Sequence, residues 1–319
     1  MSVELLPFAR ITEAAEAIAG LVVRTPSVHS PGLTRLLGAE TFAKLEILQD
    51  SGCFKPRGIT NLIRLLSPQQ RAAGLVTVTG GNHGIALSGI ARTMGIDAMI
   101  VMPEKAPERS KETVRANGAT LVVAPDVTAA FAIAEAEQAK GRSYVHPYDD
   151  PRIIAGHGTV GLELATDVPE LTDVLVSIGG GALISGVATA VRAINPAVRV
   201  WGVETVGADA MSQALAAGAP VPIQVTSIST TLGAPIVTER TLAHVHALVE
   251  EVFVVSDAEA VDGVVRIAEE AKLWVEPAAG CLVPAARRVV ERVGPNAVLG
   301  LVLCGGNATL EDVQKWRRR

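Results

Sequence analysis

Residues 74–103 read GLVTVTGGNHGIALSGIARTMGIDAMIVMP, and this stretch decides the fold class. A short run of apolar and β-branched residues leads through a glycine turn into an Ala-rich, helix-like stretch, and a second apolar run follows. This alternation is typical of a β-α-β unit, in which a helix joins two parallel strands. Because each run is apolar at successive positions, we expect both strands to be buried on both faces of a sheet.

The same alternation continues along the chain. Further helix-like stretches are ERSKETVRANG (108–118) and ALISGVATAVRAI (182–194), and further strand-like runs are TLVVAP (120–125), DVLVSI (173–178), VRVWGVE (198–204) and AVLGLVLCGG (297–306). Apolar strands that alternate with helices predict an α/β fold in which helices cover both faces of mainly parallel sheets.

Composition excludes several classes of partner. The 319 residues are 49% hydrophobic, enough to form one large domain or two smaller ones around substantial cores. The net charge is -5, and the chain has no long basic run. We therefore expect neither nucleic acid nor an anionic membrane surface as a partner.

The cysteines and the N-terminal residues bear on the cellular compartment. Cys53, Cys281 and Cys304 are widely spaced and form no CxxC pair, which argues against a disulfide framework or a zinc knuckle. The first residues lack the basic start and apolar run of a signal peptide, and no stretch of about 18 uninterrupted apolar residues occurs. These features favour a cytoplasmic protein without a membrane span.

The segment SGCFKPRGITN (51–61) contains the first candidate site residue, Lys55, between Phe54 and Pro56. A lysine that is partly desolvated in such a setting has a lowered pKa, and its free amine can act as a nucleophile or form a Schiff base. Taken alone, a lysine beside a phenylalanine is more often a solvated surface residue.

The segment TVTGGNHG (77–84) follows an apolar strand. Backbone amides freed by its glycines can bind a carboxylate, and the asparagine offers both a donor and an acceptor. The alternative is a tight strand-to-helix turn in which the histidine is an ordinary loop residue. The candidate substrate-binding residues of this segment are Thr79, Gly80, Gly81, Asn82 and His83.

The segment SIGGGALISG (177–186) carries three successive glycines into a helix-like stretch. Residues without side chains allow a phosphate to approach the helix N-terminus, where the dipole favours negative charge. A dinucleotide site is the rival interpretation, because Glu204 follows about 20 residues later, where a ribose-binding acid is expected. However, Ile184 occupies the position at which the dinucleotide motif requires its third glycine.

The segment LVLCGGN (301–307) places Cys304 after a strand and before two glycines. A buried thiol is usually a small apolar core residue. At the end of a strand it can instead face a ligand, because ligands of open α/β sheets bind beyond the carboxyl ends of the strands.

Together these four segments closely resemble the fold-type II pyridoxal-phosphate enzymes, the family of threonine dehydratase and serine racemase. Other stretches similar to the family follow in the same order: RTPSVHS (24–30), AKLEILQ (43–49), VMPEKAP (101–107), HPYDDPRIIAGHGT (146–159) and VEPAAG (275–280). The resemblance implies a tryptophan synthase β-like fold with two open, twisted, mainly parallel sheets. It further implies a large domain of residues 1–73 and 149–319, a small inserted domain of residues 74–148, and a homodimer.

The resemblance also implies the cofactor, pyridoxal 5'-phosphate, and the residues that hold it. Lys55 would form the Schiff base, Phe54 would lie against the pyridine ring, and Asn82 would contact the ring hydroxyl. Cys304 would meet the pyridine nitrogen, and Glu276 would lie near the ring. The backbone of five consecutive residues would bind the phosphate: Gly179, Gly180, Gly181, Ala182 and Leu183.

The activity implied is that of a lyase, which converts a β-hydroxy amino acid to a 2-oxo acid and ammonia. Gly80 replaces the serine that serves as the second base in racemases of this family, so elimination is expected with little racemisation. SISTTLG (227–233) departs from the family near the substrate side chain and leaves the substrate open among threonine, serine and a related amino acid such as a hydroxyaspartate. The alternatives are a racemase or β-replacement enzyme on the same fold and a non-catalytic nucleotide-binding module.

Two further expectations follow from the comparison with the family. The cation site of serine racemase corresponds here to Glu204, Ala208 and Ala210, so one carboxylate is missing and no metal is expected. The chain ends soon after the cysteine segment, so we expect no fused regulatory domain.

Overall fold

The computed structural model describes residues 4–318. Within them the chain forms ten strands: β1 (Ser27–His29), β2 (Glu40–Lys44), β3 (Leu75–Val78), β4 (Ala98–Pro103), β5 (Thr120–Ala124), β6 (Ser143–Tyr144), β7 (Asp173–Ser177), β8 (Arg199–Thr205), β9 (Glu251–Val255) and β10 (Val298–Val302). Each apolar run that predicted a strand forms one.

The strands build two sheets. The larger has the order β1-β2-β10-β7-β8-β9, and all its pairings are parallel except that of β1 with β2. The smaller has the order β5-β4-β3-β6 and is parallel throughout. All residues of the central strands β3 and β7 are buried, because helices cover both faces of each sheet. This architecture confirms the predicted α/β fold with two mainly parallel sheets.

Helices make up the covering layers. They are α1 (Phe8–Ile18), α2 (Pro31–Leu37), α3 (Pro56–Arg64), α4 (Pro68–Ala72), α5 (Asn82–Met94), α6 (Glu108–Ala116), α7 (Val127–Ala139), α8 (Pro151–Asp167), α9 (Ala182–Ile194), α10 (Ala210–Ala217), α11 (Glu239–Leu248), α12 (Asp257–Arg266), α13 (Pro277–Gly280), α14 (Leu282–Val293) and α15 (Leu310–Trp316), with 3-10 turns at Glu46–Leu48 and Thr230–Leu232 and a π-helical turn at Ile267–Ala271.

Glycines bring three helices unusually close together behind the larger sheet. A Cβ atom on Gly186 of α9 would stand 2.4 Å from the backbone oxygen of Ile154 in α8. A Cβ atom on Gly156 of α8 would stand 2.5 Å from the backbone oxygen of Arg57 in α3. Real side chains do not fit at such distances, so α8 is held directly against both neighbours. Its position sets that of α3, whose first residue follows Lys55.

A buried cluster of charges anchors the start of α3. The guanidinium of Arg57 donates to both oxygens of Glu46, at 2.8 Å each, and to both oxygens of Glu163, at 2.7 and 2.8 Å. Lys44 donates to Glu163 at 2.6 Å. Two basic and two acidic groups therefore balance, as buried charges require.

The domain division predicted at residues 73/74 and 148/149 stays a prediction. The strands of the smaller sheet run from Leu75 to Tyr144, within the predicted small domain. Among the described residues, no helix combines the length and apolar character needed to cross a lipid bilayer.

Candidate active site

The four glycine-marked segments meet in one cavity beyond the carboxyl ends of the strands. The backbone amide of Phe54 donates to the carbonyl of Cys304 at 3.0 Å, and this bond ties the lysine segment to the end of β10. The cavity is lined by residues from all four segments and from three others: Phe54, Lys55, Asn82, Tyr148, Ser177, Gly179, Gly180, Gly181, Ala182, Leu183, Thr231, Leu232, Glu276, Ala278 and Cys304. All the residues predicted to contact the cofactor are among them.

Lys55 points its amine into this cavity. The Nζ atom lies 4.9 Å from the centre of the Phe54 ring and donates to the carbonyl of Pro147 at 3.0 Å. Burial lowers the pKa of the amine to about 8. An appreciable fraction is therefore uncharged near neutral pH and available for covalent or base chemistry.

Phe54 rests on a residue that sequence reasoning missed. Its ring meets that of His157, on α8, edge to face with 4.7 Å between the centroids. His157 is fully buried, neither ring nitrogen has a hydrogen-bond partner among the described residues, and burial holds its pKa well below the usual value. A neutral imidazole thus supports Phe54 from behind. His157 lies in the stretch HPYDDPRIIAGHGT, and the similarity of that stretch to the family is the one sequence signal for this residue.

The three successive glycines at 179–181 expose their backbone to the cavity, and any side chain there would fill that space. We call this exposed backbone the glycine cradle. Gly181 has a φ of 92° and directly precedes α9, a conformation that favours glycine. A Cβ atom on Gly180 would lie 2.1 Å from the ring of Tyr148. The backbone amides at the start of α9 therefore lie open to the cavity, an arrangement that suits a phosphate.

Glu276 joins three loops at the edge of the cavity. Its Oε1 atom accepts from the amide of Asn82 at 2.9 Å and from the hydroxyl of Thr231 at 3.0 Å. The Oδ1 atom of Asn82 accepts in turn from Asn307 at 2.8 Å. Burial raises the pKa of Glu276, although the hydrogen bonds from Asn82 and Thr231 oppose this change. The Oε2 atom of Glu276 has no hydrogen-bond partner among the described residues.

The loop after β3 offers backbone amides rather than titrating side chains. The imidazole of His83 turns to the carbonyl of Val145 at 3.1 Å, and burial together with the charge of Lys55 lowers its pKa to about 3. The hydroxyl of Thr79 accepts from the amide of Gly81 at 3.1 Å. Gly80 is exposed, and a Cβ atom there would meet no atom within 4 Å.

Cys304 faces the cavity as a neutral thiol. It lies 3.3 Å from the hydroxyl of Ser177 at the end of β7. Burial, reinforced by the charge of Glu276, raises its pKa to about 12. The thiol therefore carries no charge at neutral pH.

Glu204, the acid of the rival nucleotide interpretation, is used within the protein. Its carboxylate accepts from the backbone amides of Met211 and Ser212 at 2.9 and 2.8 Å, and from the Ser212 hydroxyl at 2.6 Å. It caps the first turn of α10 and is fully buried. These contacts assign Glu204 a structural role and do not support a ribose contact.

Tyr148, Ser177 and Thr231 line the cavity but were not singled out from the sequence. Each lies in a stretch noted above for a different feature. Tyr148 lies in the family-like stretch 146–159, Ser177 lies beside the three glycines, and Thr231 lies in SISTTLG, which departs from the family. Ordinary side chains such as these gain a role only through position, so the sequence offered no chemical signal for them.

Comparisons with known proteins give a family match and similar relatives. Residues 18–305 match the family model described as pyridoxal-phosphate dependent enzyme. L-threonine ammonia-lyase of Geobacter sulfurreducens is 35% identical over 317 residues, covering 97% of this chain and 77% of the relative. Serine racemase of Arabidopsis thaliana is 36% identical over 311 residues, covering 94% and 92%. The structure of maize serine racemase superposes with a TM-score of 0.91 at 33% identity, covering 98% and 97%.

Proposed function

The chain belongs to the pyridoxal-phosphate dependent enzymes, and from this premise we propose that it is a lyase acting on a β-hydroxy amino acid. The reaction removes water across the Cα–Cβ bond and, after hydrolysis, releases ammonia and a 2-oxo acid. The observation that carries the proposal is the amine of Lys55, with a pKa near 8, in a cavity that also holds the glycine cradle and a neutral thiol. Relatives named threonine ammonia-lyase and threonine dehydratase support it.

The family match confirms the predicted cofactor, and the residues present fit it. The Lys55 amine can react with the aldehyde of the cofactor. No side chain fits at Gly180 or Gly181, so the backbone there stays open to the cavity. At the cavity edge, the Oε2 atom of Glu276 has no hydrogen-bond partner among the described residues. We propose that residues 179–183 hold the phosphate, that Asn82 contacts the ring hydroxyl, and that Phe54 lies against the ring. We propose that Cys304 contacts the pyridine nitrogen and that Glu276 lies near the edge of the ring. When bound, the cofactor supplies an electron sink that acidifies the Cα–H bond of an amino acid.

The side chains and backbone amides of the protein carry out proton transfer and substrate binding. The Lys55 amine removes the Cα proton, because a base with a pKa near the working pH transfers protons efficiently. Residues 79–83 bind the substrate carboxylate through backbone amides. The Cys304 thiol keeps its proton and places no charge beside the ring nitrogen. An uncharged partner would leave the bound cofactor a weaker electron sink, which would suit elimination. The β-hydroxyl would leave with its electron pair, and the proton that Lys55 takes from Cα would balance it, so that water is lost.

We also propose the organisation of the enzyme. The small domain comprises residues 74–148, the large domain residues 1–73 and 149–319, and the enzyme is a cytoplasmic homodimer. The presence of all four strands of the smaller sheet between Leu75 and Tyr144 supports this division.

The proposal is tested with a panel of β-hydroxy amino acids. Serine, threonine, 3-hydroxyaspartate and 3-phenylserine are incubated with the cofactor-loaded protein, and 2-oxo acid and ammonia are measured. At least one should give the two products in equal amounts, while alanine and norvaline, which lack the leaving hydroxyl, should give none. Turnover of the panel without ammonia release would reject the lyase.

Racemisation is the second candidate activity, because serine racemases are among the relatives. It requires a proton donor on the face of the cofactor opposite Lys55. Gly80 has no side chain to supply one, and His83 is buried with a pKa of about 3. The geometry therefore favours elimination.

Replacing Gly80 by serine is expected to raise the ratio of racemisation to elimination by about tenfold or more, since a positioned proton donor contributes 10²–10⁴ in rate. The backbone accommodates the change because a Cβ atom at Gly80 has free space. Gly80→Ala, which adds the same carbon without a hydroxyl, is the control. Chiral analysis of serine against ammonia release measures the ratio, and equal ratios in the two variants would contradict the assignment.

A further inference from the structure

A second recess opens beside the cofactor cavity and shares Lys55 with it. It has a volume of about 220 Å³. Its lining includes the apolar residues Val127 and Phe131 of α7, Ala234 and Pro235, together with Tyr148. We call this space the side-chain recess. Residues 79–83, proposed to bind the substrate carboxylate, line this recess as well. A substrate held there with its Cα near Lys55 therefore has the rest of the recess available to its side chain.

Helix α7 presents its large apolar residues to this recess. The residues it buries in the protein are the small Ala130 and Ala134, with 0% and 1% exposure. Val127 and Phe131 lie four positions apart on one face and are 46% and 43% exposed. A helix ordinarily buries its largest apolar side chains and exposes the small or polar ones. Ile133 of the same helix packs against the core of the smaller sheet, whereas Val127 and Phe131 leave an apolar surface at the recess.

The charged groups lining the recess disfavour a second carboxylate on the ligand. Among the described residues its titratable lining groups are Lys55, His83 and Tyr148. Burial keeps His83 neutral, with a pKa of about 3, and raises the pKa of Tyr148 to about 12. Lys55 is committed to the cofactor and the Cα proton. Among the described residues no arginine or other lysine lines the recess to pair with a second carboxylate, and a carboxylate placed against apolar walls without a counter-charge is disfavoured.

A recess on the other side of Gly80, Gly81 and Asn82 differs in character. It is lined by Arg109 and by the acids Asp50 and Asp312, among other polar groups, and it does not contain Lys55. The recess that contains Lys55 therefore differs from it in having apolar residues and, within residues 4–318, no arginine or carboxylate in its lining.

We propose that the side-chain recess selects a β-hydroxy amino acid whose side chain extends three or more carbons beyond Cβ as an alkyl or aryl group, and that it disfavours an acidic one. This inference rests on the proposed function and deepens it. It names Phe131 as a specificity-determining residue. Each additional buried CH₂ group strengthens binding by about 0.8 kcal/mol, or roughly fourfold, so three or more carbons give at least a tenfold preference.

The test uses binding, which does not require elimination. The cofactor-loaded protein is titrated with racemic alanine, norleucine, phenylalanine and aspartate, and the change in the visible absorption band gives the half-saturating concentration of each. We expect values for norleucine or phenylalanine at least about tenfold below that of alanine, with aspartate the weakest.

Two variants of α7 test whether Phe131 determines the preference of the recess. Phe131→Arg places a guanidinium in the recess and should reverse the order, so that aspartate binds at least about tenfold more tightly than in the parent protein and norleucine more weakly. Ala132→Arg adds the same charge to the next, exposed residue of α7, which does not line the recess, and should leave every value within about twofold.

The outcomes separate this inference from the proposed function. If alanine or aspartate binds as tightly as norleucine and phenylalanine, or if Phe131→Arg leaves the order unchanged, the inference is overturned, and the lyase stands wherever ammonia release is found. If no β-hydroxy amino acid yields ammonia, the lyase is rejected, and the absorbance order still decides the preference of the recess. If none of the four amino acids changes the band, the inference is overturned, and ammonia release alone decides the lyase.

Discussion

Replacing Lys55 by alanine is expected to remove the visible absorption band of the cofactor-loaded protein and to lower the elimination rate at least about 10³-fold. Both effects have the same cause. The amine is the attachment point proposed for the cofactor and the base proposed for the Cα proton, and within the cavity it is the single lysine. No neighbouring group can substitute, because His83 and Cys304 hold pKa values of about 3 and about 12.

The fold is expected to survive this substitution. Among residues 4–318, Lys55 takes part in no buried charge cluster, and its one hydrogen bond is to the carbonyl of Pro147. Circular dichroism and the unfolding midpoint should therefore match the parent protein. Lys105→Ala, at an exposed lysine in the smaller-sheet region, is the control and should keep both band and activity. Elimination at the parent rate in Lys55→Ala would remove this residue from the mechanism.

Replacing Arg57 by alanine is expected to lower the free energy of unfolding by about 3–5 kcal/mol. The guanidinium is fully buried and bonds to Glu46, Glu163 and the hydroxyl of Thr159. Burial alone lowers the pKa of Arg57, but the two carboxylates overcome this effect and raise it above its ordinary value. Its removal leaves Glu46, which is also fully buried, without its main counter-charge, and this accounts for most of the loss.

Chemical denaturation of the two proteins measures this difference. Arg64→Ala is the matched control, because it removes the same side chain from an exposed position of the same helix and should change stability by less than about 0.5 kcal/mol. A loss of under about 1 kcal/mol in Arg57→Ala would show that solvent or the remaining Lys44 compensates the carboxylates. The position of Lys55 depends on the same cluster, so elimination should also weaken in this variant.

The convergence of the four glycine-marked segments was predictable from the sequence. Each segment follows a strand-like run or precedes a helix, and the carboxyl ends of parallel strands share one edge of a sheet. Cys304 and Asn82 could therefore be placed in one site although 222 residues separate them. Glu276 lay within the resemblance, but its bonds to Asn82 and Thr231 did not follow from any local pattern.

The sequence by itself determined the α/β fold, because strand and helix periodicity and turn glycines are local properties of the chain. The family followed from the resemblance of the ordered segments, and that resemblance also predicted the roles of Lys55 and of the glycines at 179–181. Only the tertiary structure decided that His157 supports Phe54, that Glu204 caps α10, and that Val127 and Phe131 face the side-chain recess. The physical reason is that these roles depend on which side chains distant segments bring into contact. The packing of α8 against its neighbours, and of one sheet beside the other, determines those contacts, and hydrophobic pattern alone does not encode them.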